Sequence, residues 1–149
     1  MGWKKALLLL LALALCLAGC APGGGRVLDV SGERKALGEA VDGLFAALDA
    51  RDGEGVRALF SPDILERDPD LPEQIEKLMA VYPGPTTWYD WEDDGGYKER
   101  VGGSYTNTAN CTIHAFSGGE DYWCWLGLMY QNSDPEKVGV TRIRFFTAQ

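Results

Sequence analysis

His114 is the only histidine in this chain of 149 residues. Glu120 and Asp121 follow it across a glycine-rich turn. A hairpin there would bring a carboxylate to the imidazole, the pairing of a general base. The nucleophile such a base would serve is not in view. No Gly-x-Ser-x-Gly occurs, and Ser104 and Ser117 stand in glycine-rich turns. A strand histidine stacked on Trp123 explains the same residue without catalysis. A lone histidine without Cys, Asp or Glu at ligand spacing makes a poor metal site. Asp90, Glu92, Asp94 and Gly95 have the D-x-E-x-D-G spacing that opens a calcium loop. The twelfth position of that loop is Val101, where a bidentate Glu is required. An acidic hairpin tip turning on Asp94-Gly95 explains the same letters. No metal or cofactor is expected.

Cys111 and Cys124 flank the same turn, with no Cys-x-x-Cys pair to suggest zinc or redox chemistry. Strand side chains alternate between faces, so the turn decides who meets whom. A turn on Gly118-Gly119 sets Ile113 opposite Cys124, Cys111 opposite Leu126 and Ala115 opposite Tyr122. It also sets His114 opposite Trp123 and Thr112 opposite Trp125. A turn on Ser117-Gly118 sets Cys111 opposite Cys124, and only that direct pair approaches disulfide geometry. Both registers place the two thiols on one face, as a disulfide or as two reduced apolar residues. The face with Cys, Ile, Leu and Ala is the natural core. His114, Trp123, Trp125 and Met129 then share the other face, and large rings outside a core mark an interaction surface. The competing reading is that the N-terminal segment or a strand end covers them, or that a bulge swaps the faces. Trp88, Tyr97, Tyr105, Tyr122 and Tyr130 are aromatic enough to line an interior pocket, or simply to fill a core.

The elements that must hold these residues fall into two halves. Leu37, Val41, Leu44, Phe45 and Leu48 form one apolar stripe at helical period, on a helix starting near Glu33. Asp52 caps a short second helix with Val56, Leu59 and Phe60. Ser61-Pro62 opens another turn. Asp70 to Glu73 has capping-box spacing before a helix carrying Leu71, Ile75, Leu78, Met79 and Tyr82, ended by Pro83-Gly84-Pro85. Residues beyond Thr86 are rich in Thr, Tyr, Trp, Val and Phe and read as strands over 86–92, 97–116, 120–131 and 138–147. Gly102-Gly103 predicts a bulge or break in the second. The turn chemistry between strands predicts an antiparallel meander. Helices first and strands after give an α+β fold with N-terminal helices on a curved sheet of about four strands.

The N-terminus is an address. Met-Gly-Trp-Lys-Lys precedes an apolar run from Ala6 to Leu17, then Ala18-Gly19-Cys20. Twelve helical residues rise only about 18 Å, short of a bilayer core of roughly 30 Å. The pattern is that of a secretory signal. Leu17-Ala18-Gly19-Cys20 resembles the bacterial lipobox, which implies a diacylglyceryl group on the Cys20 sulfur and cleavage just before it. The expected division is a signal over 1–19, a lipidated tether over 20–31 and one domain over 32–149. Cleavage removes Lys4 and Lys5, leaving 12 basic against 22 acidic residues, a net charge of −10. That excess disfavours nucleic acid and anionic lipid as partners. The expected location is the outer face of a cell membrane, held by the lipid.

Helices followed by a curved sheet resemble the nuclear transport factor 2-like fold, the cystatin-like cone. Ala58-Leu-Phe-Ser61, Asp70-Leu-Pro-Glu-Gln-Ile75 leading to Pro83-Gly84, and Asp134-Pro-Glu-Lys-Val-Gly-Val140 resemble a family of Gram-positive lipoproteins of unknown function assigned to that fold. The resemblance spans roughly residues 38 to 147 and implies architecture and surface location, with no catalytic residues to carry over. It also implies that the outer sheet face can make homodimers or carry a protein partner. The function expected is a membrane-tethered, non-catalytic binding or interaction module. The alternative is a small-molecule enzyme or ligand-binding protein using the interior of the cone.

Overall fold

The computed structural model describes residues 30–147. The signal segment, Cys20 and most of the tether lie outside that range. Helix α1 spans Val30–Asp49. Val30 and Ser31 therefore belong to the first helix and not to the tether. The apolar stripe drives α1: Leu37, Val41, Leu44, Phe45 and Leu48 are all buried. Helix α2 spans Gly53–Arg57, and its cap is Asp52, whose Oδ1 accepts from Gly55 N at 2.9 Å. Helix α3, Pro62–Arg67, is capped by Ser61. Helix α4 spans Leu71–Val81.

The capping box expected at Asp70 does not form, because Asp70 makes no side-chain cap bond. Asp68 replaces it. Its carboxylate accepts from Asp70 N and from the Gln74 amide. Arg51 takes the left-handed conformation at φ 56°, and its guanidinium donates to the carbonyls of Tyr82 and Met79. One side chain thus caps the end of α4.

The strands are β1 Thr86–Gly95, β2 Lys98–Val101, β3 Ser104–Ser117, β4 Glu120–Asn132 and β5 Gly139–Thr147. They form one antiparallel sheet in the order β1-β3-β4-β5, with β2 pairing the first part of β3. Five strands appear where about four were expected. Gly102-Gly103 does more than bulge: both glycines have positive φ and turn the chain back as a two-residue hairpin. Bulges interrupt the ladder near Thr108 and Leu128 and bend the sheet around the helices. The molecule is α+β, with α1, α2 and α4 on the inner face of this curved sheet.

The core lies between that face and α1, α2 and α4. Small strand residues meet large helical ones: Ala109, Cys111, Ile113 and Ala115 of β3 are buried beneath α1. Tyr82 is fully buried and makes edge contacts with Phe45, Tyr122 and Phe145. Burial pushes its phenol up from the usual tyrosine range. Asp49 fastens the end of α1 to the start of β1, accepting from Thr86 N at 2.8 Å and Thr86 Oγ1 at 2.7 Å. At the other end of α1, buried Glu33 accepts from Lys98 Nζ at 2.6 Å and from the Tyr130 hydroxyl at 3.4 Å.

Candidate functional site

The turn on Gly118-Gly119 is the one observed, with both glycines at positive φ. Cys111 faces Leu126, Ile113 faces Cys124, and His114 faces Trp123. The disulfide of the other register is therefore not formed: both thiols are free, buried and one diagonal step apart. Burial pushes the Cys111 thiol up to about 12 and raises that of Cys124 further. Such thiols are inert apolar fillers rather than nucleophiles.

The face turned away from α1, α2 and α4 is where His114, Trp123, Trp125 and Met129 stand, as the alternation requires. It is not one patch. Trp125 and Met129 are half-buried in a cleft of about 560 Å3 that α3 covers with Asp63, Ile64 and Arg67. Gly127 makes room for the Trp125 indole, since a Cβ there would stand 3.1 Å from the ring. A short helix, rather than the N-terminal segment or a strand end, thus shelters this half.

The other half is open. The His114 ring stacks on Trp123 at 4.3 Å between centroids, with planes 2° apart. Trp88 of β1 meets His114 edge-on at 4.8 Å and 85°. Phe116 lies parallel to Trp88 at 6.2 Å. Phe146 of β5 pairs across from Trp123. Trp88 is 44% exposed, Trp123 43% and Phe146 53%, so these rings carry much of their apolar area into solvent. His114 Nε2 lies 2.7 Å from Asp121 Oδ1, which fixes the imidazole in its stacked position.

Trp88 was expected inside the cone and is outside it. It alternates with Asp90 and Glu92 on one side of β1, while Tyr89 and Trp91 take the other and pack on the core. Tyr89 stacks on Phe45 at 4.5 Å, and its hydroxyl donates to Asp42 Oδ1 at 2.7 Å. That bond raises the phenol to about 12. Tyr105 and Tyr97 are also exposed, on the hairpin arm. Only Tyr122 and Tyr130 of the expected pocket residues turn toward the helices, and Tyr122 is buried core. Two residues of the open patch, Phe116 and Phe146, were not singled out from the sequence. One more step of the alternation from His114 reaches Phe116, whereas Phe146 follows only from the β4–β5 register.

The acidic tip after β1 uses its carboxylates internally. Asp93 Oδ1 accepts from Gly95 N, and Asp94 Oδ2 accepts from the Thr112 hydroxyl at 2.7 Å. An apolar groove of about 320 Å3 does occur on the helical side. Val56, Phe60, Ile75, Leu78, Ile143 and Phe145 line it between α4 and β5. Its one charged group, Lys77, is an exposed rim residue paired with Glu73. No helix among the described residues is long and apolar enough to cross a membrane.

Residues 43–148 match the model of a family defined as a domain of unknown function, DUF5104, and the chain belongs to that family. The match begins within α1 and runs through β5, so it covers the helices and the whole sheet but not the N-terminal segment. No curated protein matches the chain.

Proposed function

We propose that this protein is a lipid-anchored, extracytoplasmic binding module that works through the open half of its outer sheet face. On this reading the domain is a divergent nuclear transport factor 2-like cone that recognises a ligand on its outside. The anchor rests on the basic start, the apolar run and the cysteine at Leu17-Ala18-Gly19-Cys20. One observation supports the binding face above all: Trp88 and Trp123, both more than two-fifths exposed, are held in fixed ring contacts by His114. Ordering large rings in water without a ligand offsets nothing in a monomer, whereas preorganised aromatics reduce the cost of binding. His114 and Asp121 form a pair without a nucleophile within the set of groups described around them. They serve this reading as a support for Trp123 rather than as an acid–base couple.

The anchor and the face are tested separately. Cys20→Ser should move the protein from the detergent-rich to the aqueous phase on cloud-point partitioning. Unchanged partitioning would refute the lipid. For the face, a photocrosslinking amino acid at position 146 on intact cells should give adducts that Trp123→Ala abolishes. The same group at exposed Glu39 of α1 should not. Equal crosslinking from both positions would overturn the face.

A further inference from the structure

We infer that the open cleft between Trp88 and Trp123 binds an organic cation, an alkylated ammonium group. The inference deepens the proposed reading of the outer face and rests on it. The cleft measures about 330 Å3 and is lined by Trp88, Asp90, Glu92, Thr112, His114 and Trp123. His114 lies parallel to Trp123 and nearly perpendicular to Trp88. The two indole planes therefore stand close to a right angle, with the imidazole in ring contact with both. An ammonium centre is attracted to ring faces by their quadrupole, most strongly to Trp, and alkyl groups on it fill the space between walls.

The charge on the cleft selects the same ligand. Asp90 and Glu92 rise from the outer side of β1 beside Trp88, and neither is in an ion pair among the described residues. Asp90 Oδ1 already accepts from Trp91 N, which leaves its second oxygen for a ligand. The Thr112 hydroxyl is committed as a donor to Asp94, so it presents lone pairs to the cleft. The arginines of this face, Arg142 and Arg144, stand on β5, the opposite edge of the sheet. Asp90 and Glu92 thus stand on the β1 edge, while Arg144 lines the adjoining cleft that shares Thr112 and Trp123. A bare metal ion fits less well, because ring faces offer it no lone pairs and Asp90 and Glu92 are two residues apart on one strand. A neutral sugar would stack on the rings and donate hydroxyls to the carboxylates without using their charge.

The test uses the full chain in a neutral polyoxyethylene detergent, with indole resonances assigned by single Trp→Phe changes. Choline chloride and tetramethylammonium chloride are titrated against sodium chloride at matched ionic strength. Both ammonium salts should shift the Trp88 and Trp123 signals with a midpoint of about 1–10 mM. The neutral isostere 3,3-dimethylbutan-1-ol should bind roughly tenfold more weakly, and Trp123→Ala should weaken choline by about the same factor. Asp90→Asn with Glu92→Gln changes only exposed side chains and should weaken choline about fivefold. Equal binding of the isostere, or no effect of the double neutral variant, would overturn the cation. So would silence of both signals up to saturating choline. Shifts with cellotetraose but not choline would transfer the cleft to glycans. That outcome leaves the outer face intact as a binding surface, whereas the crosslinking result at position 146 tests the face itself.

Discussion

The two faces of β3 are built from alternate residues of one strand, yet they solve opposite problems. Its inner side reads Ala109, Cys111, Ile113, Ala115 and Ser117, all buried. Its outer side reads Asn110, Thr112, His114 and Phe116. The inner residues are small because α1 brings the volume: Leu37, Leu44, Phe45 and Leu48 fill the space above them. The outer face has no helix over its open half, yet it carries the larger rings. A core explains the first arrangement completely. It does not explain the second, and the proposed binding face rests on that asymmetry. The same contrast divides the outer face itself. Trp125 is sheltered by α3, while Trp123 two residues earlier is not.

The largest expected effect tests the inner side. Phe45 stacks on Tyr89 and meets Tyr82 edge-on, so Phe45→Ala opens a cavity among rings that cannot collapse into it. It should cost about 3–5 kcal/mol. Trp123→Ala removes a bigger side chain, but one already partly in water, and should cost only about 1 kcal/mol. Urea denaturation of the two variants, with unchanged slope, measures both. Equal losses would mean that the outer rings are structural and the contrast is false.

The cysteines sharpen the comparison next. Each sits on the inner face with its thiol proton retained by burial. In the unfolded chain both thiols ionise near 9. The folded state therefore binds protons more tightly than the unfolded state. Their contribution to stability is complete below pH 9 and is lost as pH rises from there through about 12, where Cys111 titrates in the fold. Denaturation midpoints should fall above pH 9, and Cys111→Ala with Cys124→Ala should flatten that fall. Cys124→Ser should cost roughly 1–3 kcal/mol more than Cys124→Ala, because it buries a hydroxyl where a thiol made no strong bond. A pH-independent wild type, or a serine no worse than alanine, would show that the inner face is wetter than its packing implies.

Much of this arrangement was legible in the sequence where period and caps agree. The stripe from Leu37 to Leu48 and the caps at Asp52 and Ser61 appear as read. Asp70 did not follow its spacing: the Asp68 carboxylate takes the Asp70 N–H that Glu73 would accept in a capping box, and the Gln74 side chain joins it. The hairpin at Gly118-Gly119 resolved the two registers in favour of the primed turn, since both residues had to adopt positive φ. Trp88 was misplaced for a different reason. Composition alone favours burying a tryptophan, and the signal against it was its neighbours: Asp90 and Glu92 share its parity, so charge marked that side of β1 as the solvent side. Trp125 and Met129 have the right face but the wrong exposure. No pattern within β4 announces that α3, sixty residues earlier, returns to cover them through the Phe60–Val140 bridge.

The smallest effect bears on how the open face keeps its shape. His114 and Asp121 are both substantially exposed, so their 2.7 Å contact adds little to stability. Asp121→Ala should change it by less than about 1 kcal/mol. The geometry should respond more than the energy. Without the carboxylate, the imidazole loses the partner that holds it parallel to Trp123, and its ring is free to rotate about χ2. The His114 ring protons lie over the Trp123 indole, whose ring current shifts them in the wild type. In Asp121→Ala those shifts should move toward ordinary histidine values, while unfolding is almost unchanged. A large loss of stability with preserved ring shifts would reverse the assignment. The pair would then belong to the fold, and the stack would be held by Trp88 and Trp123 alone.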